Sequence, residues 1–168
     1  MVEAIYKRAS VRAFADEAVT DDQVRAALRA AMAAPSGGNQ QPWEFFVVRD
    51  AERRSRLSQV TKYAKPADAA PCVIVACMRT EGLRFPSLAV QDMGAAVENL
   101  LLAVADMDLG AVWMGIAPDE EPMKAVADIV GAPEGIQPFA LVALGRPAAP
   151  PAAKGADRYE ESRVHWLN

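Results

Sequence analysis

The sequence predicts one α+β domain, and three observations carry that reading. Short apolar runs of strand length alternate with amphipathic stretches of helical period. One stretch, Gln91–Met107, is apolar around most of its girth and must be covered on several sides. No internal repeat or linker divides the chain, and 168 residues suffice for one domain with a proper core but hardly for two.

Gln91–Met107 is the centre of this arrangement. Its polar residues are Gln91, Asp92, Glu98, Asn99 and Asp106. At 100° per residue they fall within an arc of about 120°. The stretch is therefore either the core helix of the domain or a helix that also meets a partner subunit. Its charges interrupt it too often for a membrane span.

The remaining elements follow in order. Val2–Tyr6 starts a short helix. Thr20-Asp21-Asp22-Gln23 is a capping box, and the helix behind it carries Val24, Ala27, Leu28 and Ala31 on one face before stopping short of Pro35. Trp43–Val48 reads as a strand and Ala51–Val60 as a charged helix. Lys62-Tyr63-Ala64-Lys65-Pro66 reads as a loop with two cations. Cys72–Met78, apolar throughout, is a strand covered on both faces. Thr80–Pro86 is a loop, and Ala111–Ile116 a short strand. Asp119–Val130 is a helix with Pro122 in its first turn and Gly131 at its end. Phe139–Leu144 is a further strand. Residues 146–168 change character: a Pro-rich extended start, then Tyr159, Trp166 and Leu167, which need a surface to bury against. This is a C-terminal arm packed on something, with the other subunit a candidate.

Composition narrows the function. A net charge of −4 argues against a general nucleic-acid surface. No apolar run follows the first charges, so no signal peptide is expected. Cys72 and Cys77 are five apart on one strand and point to opposite faces, so they cannot bridge each other. With His165 the only histidine and no ligand spacing, no metal site is expected. The whole reads as a reduced, cytoplasmic protein.

Two segments carry candidate chemistry. In Arg8-Ala9-Ser10-Val11-Arg12-Ala13-Phe14, an extended backbone places Arg8, Ser10 and Arg12 on one face. Two guanidinium groups and a hydroxyl suit a phosphate dianion, though a solvated basic edge has the same composition. In Ala34-Pro35-Ser36-Gly37-Gly38-Asn39-Gln40-Gln41-Pro42-Trp43, two glycines let the backbone approach something flat or crowded, and Ser36, Asn39 and Gln41 offer neutral donors and acceptors. It reads as a loop touching a polar, uncharged ring, or as a plain Gly/Pro connector. No G-x-G-x-x-G follows a strand, and no Lys closes a P-loop.

These two segments, Asp92-Met93-Gly94 through Asn99-Leu100-Leu101-Leu102-Ala103, and Gly131-Ala132-Pro133-Glu134-Gly135 through Ala143-Leu144-Gly145-Arg146-Pro147 together resemble the FMN-dependent nitroreductase family in order and spacing. The resemblance implies a three-layer fold in which a central mixed sheet carries helices on both faces. It also implies an intertwined homodimer, with 1–168 one domain and 146–168 an extended arm, and two FMN sites at the interface. Positions matching Arg8, Ser10 and Arg12 hold the phosphate and pyrimidine edge of the flavin. Those matching Pro35, Ser36, Gly37 and Asn39 approach the ring from the other subunit. The strand end at Met114-Gly115 presents backbone to the reactive edge. Arg158 or Lys154 is the C-terminal basic residue for the phosphate, and Lys65 the candidate for a lysine that some members place near the ring. The chain departs from the pattern at Ala9, where a second basic residue or His is usual, at Arg158, one residue off the common spacing, and in the short stretch between Val60 and Pro71.

The implied activity is hydride transfer from NADH or NADPH through FMN to an electron-poor small molecule such as a nitroaromatic or a quinone. No acid–base dyad is visible, so no protein side chain is expected to be catalytic in its own right. Reductive dehalogenation, enoate reduction or flavin breakdown are alternatives within the family. Outside it stand a flavin-binding redox protein without turnover and a ligand-free structural dimer.

Overall fold

Four apolar segments make the sheet, and their register is set by which face each side chain must bury. They are β1 (Trp43–Val48), β2 (Cys72–Arg79), β3 (Gly110–Gly115) and β4 (Ile136–Gly145). The structure is a computed structural model and describes residues 3–151 and 158–167. In β2, Cys72, Ile74 and Ala76 enter one core layer, while Val73, Val75 and Cys77 enter the other. The two thiols therefore sit on opposite faces, as the odd spacing requires.

Helices cover both faces. On one side lie α2 (Asp21–Met32) and α5 (Ala89–Asp106), through Val24, Ala27, Ala31, Met93, Val97 and Leu100. On the other lie α3 (Ala51–Leu57), α4 (Pro66–Ala69) and α6 (Glu120–Val130), through Leu57, Ala67, Val126 and Ile129. A short α1 (Glu3–Lys7) precedes them. The three-layer α+β expectation therefore holds.

The sheet order is β1-β2-β4-β3, and every pair of neighbouring strands is antiparallel. This corrects the expected mixed sheet. β2 and β3 run in the same direction, but β4 enters between them and opposes both. Among the described residues, parallel pairing is confined to the isolated bridge Ser10–Ala111.

Local signals place the helix ends. Thr20 forms the capping box with Gln23: its Oγ1 accepts from Gln23 N–H at 3.2 Å, and Gln23 Oε1 accepts from Thr20 N–H at 2.9 Å. Asp50 caps α3 by accepting from Arg53 N–H at 2.9 Å, and that helix ends at Leu57, three residues before the expected Val60. The two-cation loop leads into an unforeseen turn of helix, α4, because Pro66 suits a first helical position. Gly131, at φ 68°, closes α6 in the left-handed region.

By length and composition, Pro86–Asp106 could cross a membrane. Here it packs between α2 and the sheet, with Met93, Ala96, Val97 and Leu100 sealed from solvent. Of its five polar residues, Gln91, Glu98 and Asp106 are exposed, Asn99 donates to Ala30 O at 3.1 Å, and Asp92 is buried.

Candidate functional site

Arg8 N–H closes the last turn of α1 on Ala4 O at 2.9 Å, and the chain then runs along the outer edge of β3 at Ser10 and Val11. Ser10 bridges Ala111, Val11 N–H donates to Ala111 O at 2.9 Å, and the Val11 side chain fills the space a Cβ on Gly110 would need. Lys7 Nζ bonds Asp108 Oδ1 at 2.6 Å, which fixes where the segment begins. That hydrogen bond holds the ammonium above its ordinary pKa and the carboxyl below its own. Arg8 Nε lies 3.4 Å from Glu98 Oε1 of α5. Exposed Arg12 donates to Ser10 O at 3.3 Å, and the Ser10 hydroxyl has no partner among the described residues.

The loop Pro35–Pro42 is the most constrained stretch of backbone. Gly38, Asn39 and Gln41 all have positive φ, at 57°, 56° and 48°. For Gln41 this conformation costs about 1–2 kcal/mol and needs support from its surroundings. Support comes from several directions. Ser36 Oγ accepts from Gln41 N–H at 3.0 Å. The Arg79 guanidinium donates to Gln40 O at 3.0 Å and Gln41 O at 2.8 Å. Asp92 accepts from Gly37 N–H at 2.9 Å through Oδ1 and from Gln40 Nε2 at 2.6 Å through Oδ2.

The loop's glycines have a steric reason inside this chain. A Cβ on Gly38 would lie 2.7 Å from Phe85 Cε2, and one on Gly37 would lie 2.7 Å from Leu88 Cδ1. The flat neighbour that Gly38 admits is thus the Phe85 ring, which also carries the Arg84 guanidinium 5.1 Å from its centroid.

At the end of β3, Met114 turns its side chain into the α3–α4–α6 layer, whereas Gly115 is exposed and a Cβ there would meet nothing within 4 Å. Gly115 pairs with Ala140 and Trp43 with Met78, so Gly115 and the loop sit at the same end of the sheet on opposite edges. Ser10 bridges Ala111, four residues back along β3 from Gly115, or roughly 13 Å at strand spacing.

One chain therefore does not gather all the candidates at one point. Arg8 meets α5 at Glu98 and the loop meets it at Asp92. Six residues of helix separate these contacts by about 9 Å along the axis and about 120° around it. Lys65 immediately precedes α4, on the opposite face of the sheet from α5. Arg158 is exposed. Lys154 lies outside the described residues. In the arm, Tyr159, Trp166 and Leu167 are 60%, 73% and 95% exposed, with Trp166 Nε1 donating only locally, to Glu161 Oε1 at 2.9 Å.

The sequence pattern of the family described as the Nitroreductase family matches residues 5–67 and 58–146. The chain belongs to the nitroreductase family. A relative from Archaeoglobus fulgidus, provisionally named an NADH dehydrogenase/NAD(P)H nitroreductase, is 39% identical over 166 residues, covering 98% of this chain and 95% of its own. The solved structure of a provisionally named NADH oxidase from Clostridium acetobutylicum matches with a TM-score of 0.90 at 39% identity, over 96% of this chain and 97% of that one. A provisionally named nitroreductase from Desulfovibrio desulfuricans, solved in complex with FMN, matches with a TM-score of 0.81 at 33% identity, over 99% and 95%.

Five residues that organise this candidate site were not singled out for it by sequence reasoning: Gln40, Arg79, Phe85, Asp92 and Glu98. For Asp92 a signal existed, since it is an acidic residue at the margin of the polar arc of a helix otherwise due for burial. The others act through contacts with residues distant in sequence, which leave no local pattern.

Proposed function

We propose that this protein is a cytoplasmic, homodimeric NAD(P)H-dependent oxidoreductase that holds FMN between its subunits and reduces electron-poor small molecules such as nitroaromatics or quinones. The observation that carries the reading is the separation of the two half-sites around α5. Ile5, Met32 and Val90 are each about half exposed, at 53%, 49% and 52%, and a second copy of the chain would cover such a surface. The FMN held by the Desulfovibrio desulfuricans relative supports the choice of cofactor.

The donor set fits that group. Arg8 and Arg12 offer charged N–H groups, and the Ser10 hydroxyl is not engaged by another described residue. A terminal phosphate would bring these three together. Ser36, Gly37 and Asn39, with Pro35 before them, would meet the ring from the partner, and Gly115 would leave its backbone open beside the reactive edge. Arg158 would add a phosphate contact from the arm. Ala9 would take part through its backbone. Lys65, on the far face of its own chain, would reach a flavin only across the dimer.

When bound, FMN supplies the acceptance of hydride from a reduced nicotinamide and its delivery to the acceptor. The chain's part is to bind, orient and bias charge. A fixed cation at Arg12 stabilises negative charge developing near it. Gly115, exposed and without a side chain, would leave its backbone accessible beside the flavin.

The test is an absorbance spectrum of the purified protein before and after NADH or NADPH, with chromatography of the flavin released on denaturation. A yellow protein that releases FMN and bleaches with a reduced nicotinamide is expected. FAD in place of FMN, or failure of apo-protein to take up any flavin, overturns the proposal.

A further inference from the structure

Asp92 is the only buried charged residue among the described ones, 6% exposed, and its hydrogen bonds go to the 36–41 loop rather than to its own helix. It lies one turn into α5, whose N-cap residue, Leu88, makes no side-chain cap. Both carboxylate oxygens are used outward, on Gly37 N–H at 2.9 Å and on Gln40 Nε2 at 2.6 Å. Gln40 is itself held at both ends. Its Oε1 accepts from Phe85 N–H at 2.9 Å, and its Nε2 also donates to Phe85 O at 3.0 Å. The backbone of Phe85 thus fixes which way the Gln40 amide faces, and so fixes that Asp92 meets an N–H there.

A carboxylate satisfies both donors, and an amide cannot. With asparagine at position 92, one oxygen accepts from Gly37 or from Gln40, and the amide N–H group confronts the other donor. Turning Gln40 over to relieve that contact would break both of its bonds to Phe85. The load on this junction is visible in the backbone beside it, where Gly38, Asn39 and Gln41 all stand at positive φ.

We infer that Asp92 and Gln40 form a clamp that holds the 36–41 loop in the strained shape with which it meets the flavin of the partner subunit. This rests on the function proposed above. Both are positioning residues. Neither needs to touch the cofactor, because Asp92 acts through the Gly37 backbone and Gln40 through Asp92 and the backbone of Phe85.

The test uses full-length wild type, Asp92→Asn and Gln40→Met, each as apo- and FMN-loaded protein. Three readouts are taken: FMN affinity, the visible spectrum of the bound flavin, and hydrogen exchange at the Gly37 amide. The clamp predicts faster exchange at Gly37 in both variants. It also predicts about tenfold weaker FMN binding, the loss expected from one hydrogen bond, and a bound-flavin spectrum shifted toward that of free FMN. A merely structural role would lower the melting temperature and leave the spectrum and affinity of the loaded protein unchanged, which overturns the inference. Gln40→Met, changed at a half-buried position, gives the same reading if Asp92→Asn does not fold. A wild type that takes up no FMN refutes the functional proposal and the clamp's purpose with it. A wild type that binds FMN beside variants of unchanged affinity and spectrum refutes the clamp alone.

Discussion

Glu98→Gln should tighten FMN binding. In this chain Arg8, the proposed phosphate ligand, has its Nε 3.4 Å from the Glu98 carboxylate. A phosphate on the far side of that guanidinium would stand about 7 Å from Glu98. At that distance each pair of unit charges repels by about 0.6 kcal/mol at the dielectric of water and by about 2.4 kcal/mol at an effective value of 20. The side chains are 28% and 48% exposed, so solvent screens much of this and the lower part of the range applies. Glutamine keeps the shape and removes the charge, and about 1 kcal/mol corresponds to roughly fivefold tighter binding. Titration of apo-protein by flavin fluorescence at 20 mM and 500 mM salt checks it, with Arg8→Ala as the companion. The gain should shrink at high salt, where the Debye length falls to a few ångströms. Arg8→Ala should weaken binding by about ten- to a hundredfold, the value of a charge-assisted bond. Weaker binding in Glu98→Gln at low salt would mean that Glu98 orients Arg8 rather than competing for it. Unchanged affinity in Arg8→Ala would return that residue to the solvated edge.

Other outcomes follow from single features. Removing residues 146–168 should yield a flavin-poor protein that aggregates or dissociates on dilution, at about 25 cal/mol for each Å² of apolar surface left uncovered; light scattering with absorbance at the flavin band decides it, and a truncated yellow dimer would show the arm to be dispensable. Gly38→Ala should cost about 1–2 kcal/mol for its positive φ, and more if Phe85 resists the 2.7 Å contact; a thermal melt equal to wild type would contradict the assigned backbone. Burial, with Glu44 adding its charge, pushes the Cys77 thiol from 9.0 up to about 12. The folded state keeps the proton that the unfolded state releases, so this contribution is full below pH 9 and is lost as pH rises toward about 12. The loss amounts to about 4 kcal/mol at most. Urea melts from pH 8 to 11 should fall less steeply for Cys77→Ala than for wild type, and equal slopes would refute the shift.

The fold was legible wherever one residue's neighbours in sequence decided its burial. The apolar run in β2, the capping box at Thr20 and the Gly131 stop are local signals, and each appears where expected. The sheet's pairing was not legible, because the insertion of β4 between β2 and β3 depends on no residue pattern within any one strand. At the candidate site, the spacing of Arg8, Ser10 and Arg12 suggests one extended face, but Arg8 closes the end of α1 and turns to Glu98. The partners that complete them could not be read from spacing. Glu98 reaches Arg8 across 90 residues of chain, and Asp92 reaches Gly37 across 55. The Gly-Gly pair suggests room for a polar ring, whereas within this chain the group beside Gly38 is the apolar ring of Phe85 from the next loop.

The place of β4 matters while the chain is being made. β2 and β3 leave the ribosome first, each needing the same missing neighbour along one edge. That neighbour is the last strand to be synthesised, Ile136–Gly145. Until it arrives, β2 offers an open row of N–H and C=O groups flanked by Val73, Ile74 and Val75. Strands added late between early ones require long-range closure, which is slow. An unpaired apolar edge held open through that interval is the kind of surface that chaperones bind and that aggregates in their absence. Production of this protein should therefore depend more on the speed of translation and on chaperone supply than its finished sheet, with β4 in place, would indicate.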